Sequence, residues 1–169
     1  MSRKILERVV SNHLAIVGTM MDVTQRKNIK ETLQASEKEY RTLFEESRDA
    51  ICITNRDGRL IDVNQSFLSL FGYTREWVKD LNFRELYVDP DEGSRFQQKI
   101  EQMGSLRDYE VKLLKKDRAK MDCLITATVR RDSHGSILGY QGIIRDITDL
   151  KRVQDTLRES EERFRRLLE

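Results

Sequence analysis

The stretch from Gly18 to Glu45 recurs from Gly142 to Glu169 at a constant offset of 124 residues, and this repeat constrains the fold more than any other feature of the chain. Gly18, Asp22, Thr24, Lys27, Thr32, Leu33, Ser36, Glu37, Arg41, Leu43 and Glu45 reappear as Gly142, Asp146, Thr148, Lys151, Thr156, Leu157, Ser160, Glu161, Arg165, Leu167 and Glu169. Each copy opens on an apolar segment that ends in Asp-Val-Thr (Asp22 to Thr24) or Asp-Ile-Thr (Asp146 to Thr148), then turns polar with helical periodicity. A strand is therefore expected to hand over to a helix in both copies. Thr24 and Thr148 are the expected caps, and Asp149 suits the positive end of the second helix dipole. With Lys27 and Lys151 at the third helical position, no reciprocal capping box forms.

Along the second helix Leu150, Val153, Leu157, Ser160, Phe164 and Leu167 alternate in steps of three and four, the spacing of a coiled-coil seam. The first helix places Arg26, Ile29, Leu33, Ser36, Tyr40 and Leu43 in the same register. A single stripe of this kind often packs on its own domain. Two in one register, each leaving a strand end, point to parallel pairing in a homodimer, and a serine within so short a seam makes the pairing weak and switchable.

A chain of 169 residues has room for one core between these helices. Charged residues at 36% against 38% hydrophobic ones imply much solvated surface, as projecting helices provide. With 31 basic against 29 acidic residues the net charge is +2, which gives no field to draw in nucleic acid. The longest apolar run, Leu14 to Met21, is far short of a membrane span, and Met1 to Lys4 leads into no signal-peptide core. Two distant cysteines make no disulfide framework, so a cytoplasmic location is expected.

Between the helices the pattern is α+β with an antiparallel sheet of five strands and small helices on one face. Ala50 to Thr54 reads as a strand, Asn55-Arg56-Asp57-Gly58 as a hairpin turn and Leu60 to Val63 as its return. Asn64 caps a short helix closed by Gly72, and Thr74 caps another carrying Trp77, Val78 and Leu81. Asp89-Pro90-Asp91-Glu92 starts a longer helix with a buried stripe of Phe96, Ile100 and Met103, ended by Gly104. Strands follow at Asp108 to Leu114, Met121 to Val129 and Ile137 to Arg145.

This element order, Asp57-Gly58, Val63-Asn64 before Phe67, Phe71-Gly72-Tyr73-Thr74 before Trp77, Asp89-Pro90-Asp91, Arg131-Asp132 before Gly135, and the closing Asp146-Ile147-Thr148 together resemble the PAS family over about Ser36 to Thr148. The resemblance implies this division: 1–24, the last strand of a preceding PAS copy; 25–47, a connector helix; 48–148, the PAS domain; 149–169, a signalling helix. Neighbouring PAS or output domains would then be partners in a longer receptor, with a sensor histidine kinase favoured over a cyclic-dinucleotide enzyme.

The family's sheet orientation implies a pocket for a small molecule between sheet and helices. Strand alternation turns Cys52, Thr54, Tyr109, Val111, Leu113, Cys123, Ile125, Ala127, Tyr140 and Ile144 inward, and Phe67, Phe71, Leu86, Phe96 and Ile100 close the other side. The plainer reading is that these side chains fill the core. Flavin-adduct photochemistry needs a cysteine where Asn82-Phe83-Arg84-Glu85 has Phe83, and haem ligation needs a histidine on the Pro90 to Met103 helix, which has none. His13 and His134 fall in end or turn segments, so flavin-adduct photochemistry and histidine-ligated haem are disfavoured, while non-covalent FAD or another organic ligand stays open and the ligand is unnamed.

Cys52 and Cys123 lack further metal ligands at useful spacing, and no metal site is expected. Lys115, Lys116, Arg118 and Lys120 form a basic turn whose readings are contact with a partner or an anion and, more plainly, the solubility of an edge hairpin; the family often has glycine there, where this chain has Asp117-Arg118-Ala119. No catalytic motif is visible, so the segment is not expected to be an enzyme. The resemblance implies a sensory relay in which Asp146, Ile147 and Thr148 pass a change in the sheet to the exit helix. The rival is a spacer and dimerisation unit with a filled core.

Overall fold

The computed structural model describes residues 3–168, with side chains from residue 14 onward, and divides into two units, one up to Leu43 and one from Phe44 onward. The elements run α1 (Arg3–Glu46), β1 (Ala50–Asn55), β2 (Leu60–Val63), α2 (Gln65–Phe71), α3 (Arg75–Val78), a 3-10 turn (Phe83–Leu86), α4 (Glu92–Met103), β3 (Ser105–Leu114), β4 (Lys120–Arg131), β5 (Ile137–Asp146) and α5 (Thr148–Leu168). The five strands form one antiparallel sheet in the order β2-β1-β5-β4-β3, with the small helices inserted between β2 and β3.

The first copy of the repeat departs from expectation. Leu14 to Thr24 is not a strand end but part of α1, so the expected remnant of a preceding sheet is absent from the described residues. Thr24 does not cap a helix; its hydroxyl donates to the Met20 carbonyl one turn back, at 2.8 Å, and Asp22 pairs with Arg26 at 3.4 Å along the same helix. A strand must find neighbours for its backbone groups, whereas a helix satisfies its own. Residues 14–24 pair with no strand of this sheet, and the helix is what remains.

The domain itself follows local chemistry closely. Asn64 caps α2 by accepting the Phe67 N–H at 3.0 Å, and Gly72 closes it at φ +78° with its N–H on the Leu68 carbonyl. Thr74 stands before α3 but its side chain makes no capping bond. Pro90 also lies ahead of its helix: the Asp89 carboxylate accepts the Asp91 N–H at 3.0 Å, and α4 begins only at Glu92. Met103, expected in that helix's buried stripe, is exposed. The strands β3 and β4 are longer than the sequence suggests, and β3 carries an irregularity between Leu106 and Tyr109. In the basic turn Arg118 takes φ +68°, the left-handed conformation that glycine adopts without strain, while the Asp117 carboxylate accepts the Ala119 N–H at 3.0 Å.

The core lies between the sheet and the small helices. Period-two burial is clear in β4, where Met121, Cys123, Ile125 and Ala127 turn inward. Leu113 stands beside Met121 on β3, and Phe67, Phe71, Leu86 and Ile100 are deeply buried on the helix side, with the Phe67 and Phe71 rings 4.5 Å apart. No described helix is long and apolar enough to cross a membrane.

Candidate sensory cavity and output joint

Of the inward-facing residues, only some surround a void. A cavity of about 50 Å³ is lined by Cys52, Thr54, Phe96, Ile125, Ala127, Tyr140 and Ile144 from the expected set. The others expected there, Phe67, Phe71, Leu86, Ile100, Tyr109, Val111, Leu113 and Cys123, lie outside this lining, and all but the half-buried Tyr109 are buried. The lining also includes Arg56, Phe83, Arg84, Tyr87 and Gln97, together with Gly58, Gly93, Gln141 and Gly142, none of which strand alternation alone selects. The hairpin turn after β1 carries Arg56 and Gly58, and the 3-10 turn carries Phe83 and Arg84.

That 3-10 turn is locally encoded. Asn82 accepts the Arg84 N–H at 2.9 Å while its own N–H donates to the Glu85 carboxylate at 3.2 Å, a reciprocal cap. Phe83 is thereby set into the cavity wall. The stem of Arg84 lies against two positions that leave it room. A Cβ at Gly58 would come within 3.3 Å of its Cγ, and one at Gly93 within 3.2 Å.

Charged groups are gathered at the rim. Arg56 holds the Glu101 carboxylate through two bonds of 3.0 and 3.1 Å, and the Tyr140 hydroxyl donates to the same carboxylate at 2.6 Å. The Arg56 guanidinium, and after it the Tyr140 hydroxyl, hold the Glu101 carboxyl down to about 2. Burial, and then the bond to Glu101, push the Tyr140 phenol up to about 12. Glu101 has a folded value below the ordinary 4.5, so its contribution to stability is complete above that pH and is lost as the pH falls toward 2. Glu101→Gln should therefore flatten the loss of stability across that window, as read from urea midpoints at a series of acidic pH values. An acid limb identical to that of the unaltered protein would contradict this contribution of Glu101.

The enclosed part of the cavity is about a third of the roughly 150 Å³ that holds one benzene ring. His134 is exposed in the β4–β5 turn, where its N–H donates to the Asp132 carboxylate at 2.8 Å, and the His13 side chain lies outside the described residues. Burial pushes both Cys52 and Cys123 up to about 12, which keeps them as thiols. Among the described residues no cluster of three His, Cys, Asp or Glu is placed to hold a metal ion.

The second feature is the joint where β5 becomes α5. The Asp146 carboxylate accepts both the N–H of Thr148, at 2.9 Å, and its hydroxyl, at 2.5 Å. The Thr148 oxygen in turn accepts the Asp122 N–H at 3.0 Å, and Ile147 N–H donates to the Asp122 carbonyl at 2.8 Å. The expected roles are thus redistributed: Asp146 receives the backbone N–H, and Thr148 staples the helix start to β4. Lys151 adds a contact that sequence reading did not select, donating to Glu110 at 2.9 Å and lying 3.6 Å from the Asp122 carboxylate. The bond to Glu110 raises the Lys151 ammonium, and Lys112 with Lys151 holds the Asp122 carboxyl below its ordinary value. Its presence in both repeat copies was the available signal, since Lys27 occupies the same place and instead faces Glu31 at 4.0 Å within its own helix.

Beyond the joint, Leu150, Val153, Leu157, Phe164 and Leu167 are all exposed along α5, and Ile29, Leu33, Tyr40 and Leu43 are exposed in α1.

The sequence profile described as PAS domain matches residues 48–149. The chain belongs to the PAS domain family. The PAS domain of a Colwellia psychrerythraea protein superimposes with a TM-score of 0.61 and 26% identity, covering 66% of this chain and 97% of that one. Sporulation kinase E of Bacillus subtilis is 26% identical over 98% of this chain, and the match spans 22% of that kinase. The sensor histidine kinase TmoS of Ectopseudomonas mendocina is 28% identical over 79% of the chain and 14% of its own length. The chain thus corresponds to about a fifth of sporulation kinase E, and this PAS domain is of the kind carried by sensor-kinase-like proteins.

Proposed function

We propose that this PAS domain is a relay in a longer receptor, most closely a sensor histidine kinase, in which a change in the cavity or in the sheet is passed through Asp146, Ile147 and Thr148 to α5. The observation that carries the reading is the staple at the joint. The strands β4 and β5 supply Ile125, Ala127, Tyr140 and Ile144 to the cavity wall, and the same two strands hold the first residues of α5 through Asp122 and Asp146. A shift of β4 against β5 therefore moves the helix start directly, with no flexible linker between. The exposed stripe from Leu150 to Leu167 supports a second copy of the chain as the partner of α5, and a pairing this short is weak enough to respond. Signalling requires that the ligand or upstream strain favour one of two arrangements, since equal affinity for both shifts nothing.

Asp146→Ala in a receptor that carries this module should leave the domain folded and lower the signal-dependent change in output by about fivefold or more, the lower end of ordinary coupling energies. Measured autophosphorylation with and without the signal checks this, and a full response in the variant would sink the relay.

A spacer and dimerisation role is the second reading, favoured by the smallness of the cavity and the dense packing around Phe67, Phe71 and Leu113. Native mass spectrometry of freshly purified protein separates the two: a retained small molecule supports sensing.

A further inference from the structure

The tip of the β3–β4 hairpin carries charge of one sign that the fold does not neutralise. Lys115, Lys116, Arg118 and Lys120 follow one another closely, and none of them has an ion-pair partner among the described residues. The edge strand β3 is protected differently, since Lys112 pairs with Asp122 at 2.8 Å and Glu110 with Lys151 at 2.9 Å. Such mixed charge serves solubility, and the tip departs from it. The acids nearby are occupied: Asp117 by the Ala119 N–H, Glu85 by the Asn82 N–H, and Glu76 by its own N–H and Thr74 at the start of α3.

The tip is also held in one shape. The Lys115 N–H donates to the Ala119 carbonyl and the Arg118 N–H to the Lys115 carbonyl, both at 2.9 Å, and the Lys116 N–H reaches the Phe71 carbonyl at the end of α2, at 2.8 Å. Lys116 thereby stands beside α3, with its Nζ 4.9 Å from the centre of the Trp77 ring. Trp77 is the only tryptophan of the chain and is 63% exposed, while the adjacent Val78 is buried and anchors α3. Arg118 keeps a long side chain at φ +68°, where glycine would sit without strain, and strain of this kind gathers at functional positions.

We propose that Trp77 and the hairpin tip form a docking surface for an acidic segment of another protein, which lays an apolar side chain on the exposed indole and its carboxylates on Lys116 and Arg118. Charge complementarity sets the sign of the partner, and an exposed tryptophan beside arginine is the composition of an interface anchor. Because the turn is already fixed by its own backbone bonds, little ordering is lost when a partner arrives. A nucleic acid fits less well. The cations are confined to one turn rather than laid out along a track for a phosphate backbone, and a net charge of +2 gives no field to draw one in. None of these residues lines the cavity or holds the start of α5, so the surface stands apart from whether the domain senses a ligand.

The test uses the whole chain and three probes: a short glutamate-rich peptide with a central leucine, the same peptide with glutamine for glutamate, and single-stranded oligothymidine. Titration calorimetry gives the affinities, and the emission of Trp77, the sole tryptophan, reports where binding occurs. The glutamate peptide should change that emission saturably and bind about tenfold or more tightly than the glutamine peptide at low salt. Arg118→Gly should weaken it by about two- to fivefold while leaving the thermal unfolding midpoint unchanged or raised, because glycine suits the backbone there. Trp77→Ala should weaken it by about tenfold or more. Equal binding of the two peptides, no binding of either, or full binding by both variants overturns the docking surface. Preference for oligothymidine would make this a nucleic-acid surface, and a change in Trp77 emission with protein concentration alone would give it to a second copy of the chain; each overturns the acidic partner. The comparison of probes on the unaltered protein decides the matter even where a variant fails to fold.

Discussion

Asn64→Ala should destabilise the domain by about 3–5 kcal/mol, because one fully buried side chain ties together three segments. Its carbonyl oxygen accepts the N–H of Ile51, at 2.8 Å in β1, and of Phe67, at 3.0 Å in α2. Its amide donates to the carbonyls of Phe44, at 3.0 Å in the last turn of α1, and of Asp49, at 2.9 Å. Alanine leaves two donors and two acceptors without their partner in a site closed to water, and it removes the cap of α2 as well. Urea denaturation followed by far-ultraviolet circular dichroism measures the effect, and a loss below about 1 kcal/mol would show that the four bonds are replaceable. The last turn of α1 is further held by Glu45, which pairs with Arg75 at 3.0 Å and accepts the Gln65 N–H at 2.9 Å. Hydrogen exchange in the Asn64→Ala protein should therefore rise first at Ile51 and Phe67 rather than uniformly.

Gly139→Ala is the second large effect. Gly139 opens the pairing of β5 with β1, opposite Asn55, at φ +153°, and a Cβ there would lie 2.0 Å from the Thr54 carbonyl oxygen and 2.8 Å from the Asn55 backbone. Backbone cannot yield as a flexible side chain does, so β1 must move off β5 at this point, at a cost of about 3 kcal/mol or more. Because Thr54 lines the cavity, the same substitution should also distort the cavity wall. Gly135→Ala is the matched control: it too has a positive φ, +85°, but a Cβ would meet nothing within 4 Å, so about 1–2 kcal/mol from the left-handed backbone alone is expected. Thermal unfolding of the pair gives the comparison, and equal losses would mean that the close approach of Gly139 to Thr54 is not what this glycine serves.

How far the sequence could be read depended on whether its signals were local. The hairpin of β1 and β2, the Asn64 cap, the closures at Gly72 and Gly104 and the alternation along β4 each rest on residues within a few positions of one another, and all are found in the structure. The repeat was read correctly as a relation between two segments but not as one conformation shared by both. Asp146 binds Thr148, which meets Asp122 of a neighbouring strand, whereas Asp22 and Thr24, in the same sequence grammar, meet Arg26 and Met20 of their own helix.

By itself, then, the sequence determined the five strands from β1 to β5, the inward face of β4 and the family, because side-chain direction follows from the chain's own periodicity. Only the tertiary structure decided that Leu14 to Thr24 is helical, since a strand exists only where another strand meets its backbone. It also decided which inward residues enclose space. Phe67 and Leu113 point inward as surely as Thr54 and Ala127, but a cavity is what packing leaves over, and its rim came from Arg56, Arg84 and Gln97 on turns and a helix that no strand periodicity reaches. The return of α5 onto the sheet through Lys151 likewise required Glu110 and Asp122, which the chain brings near it only by folding.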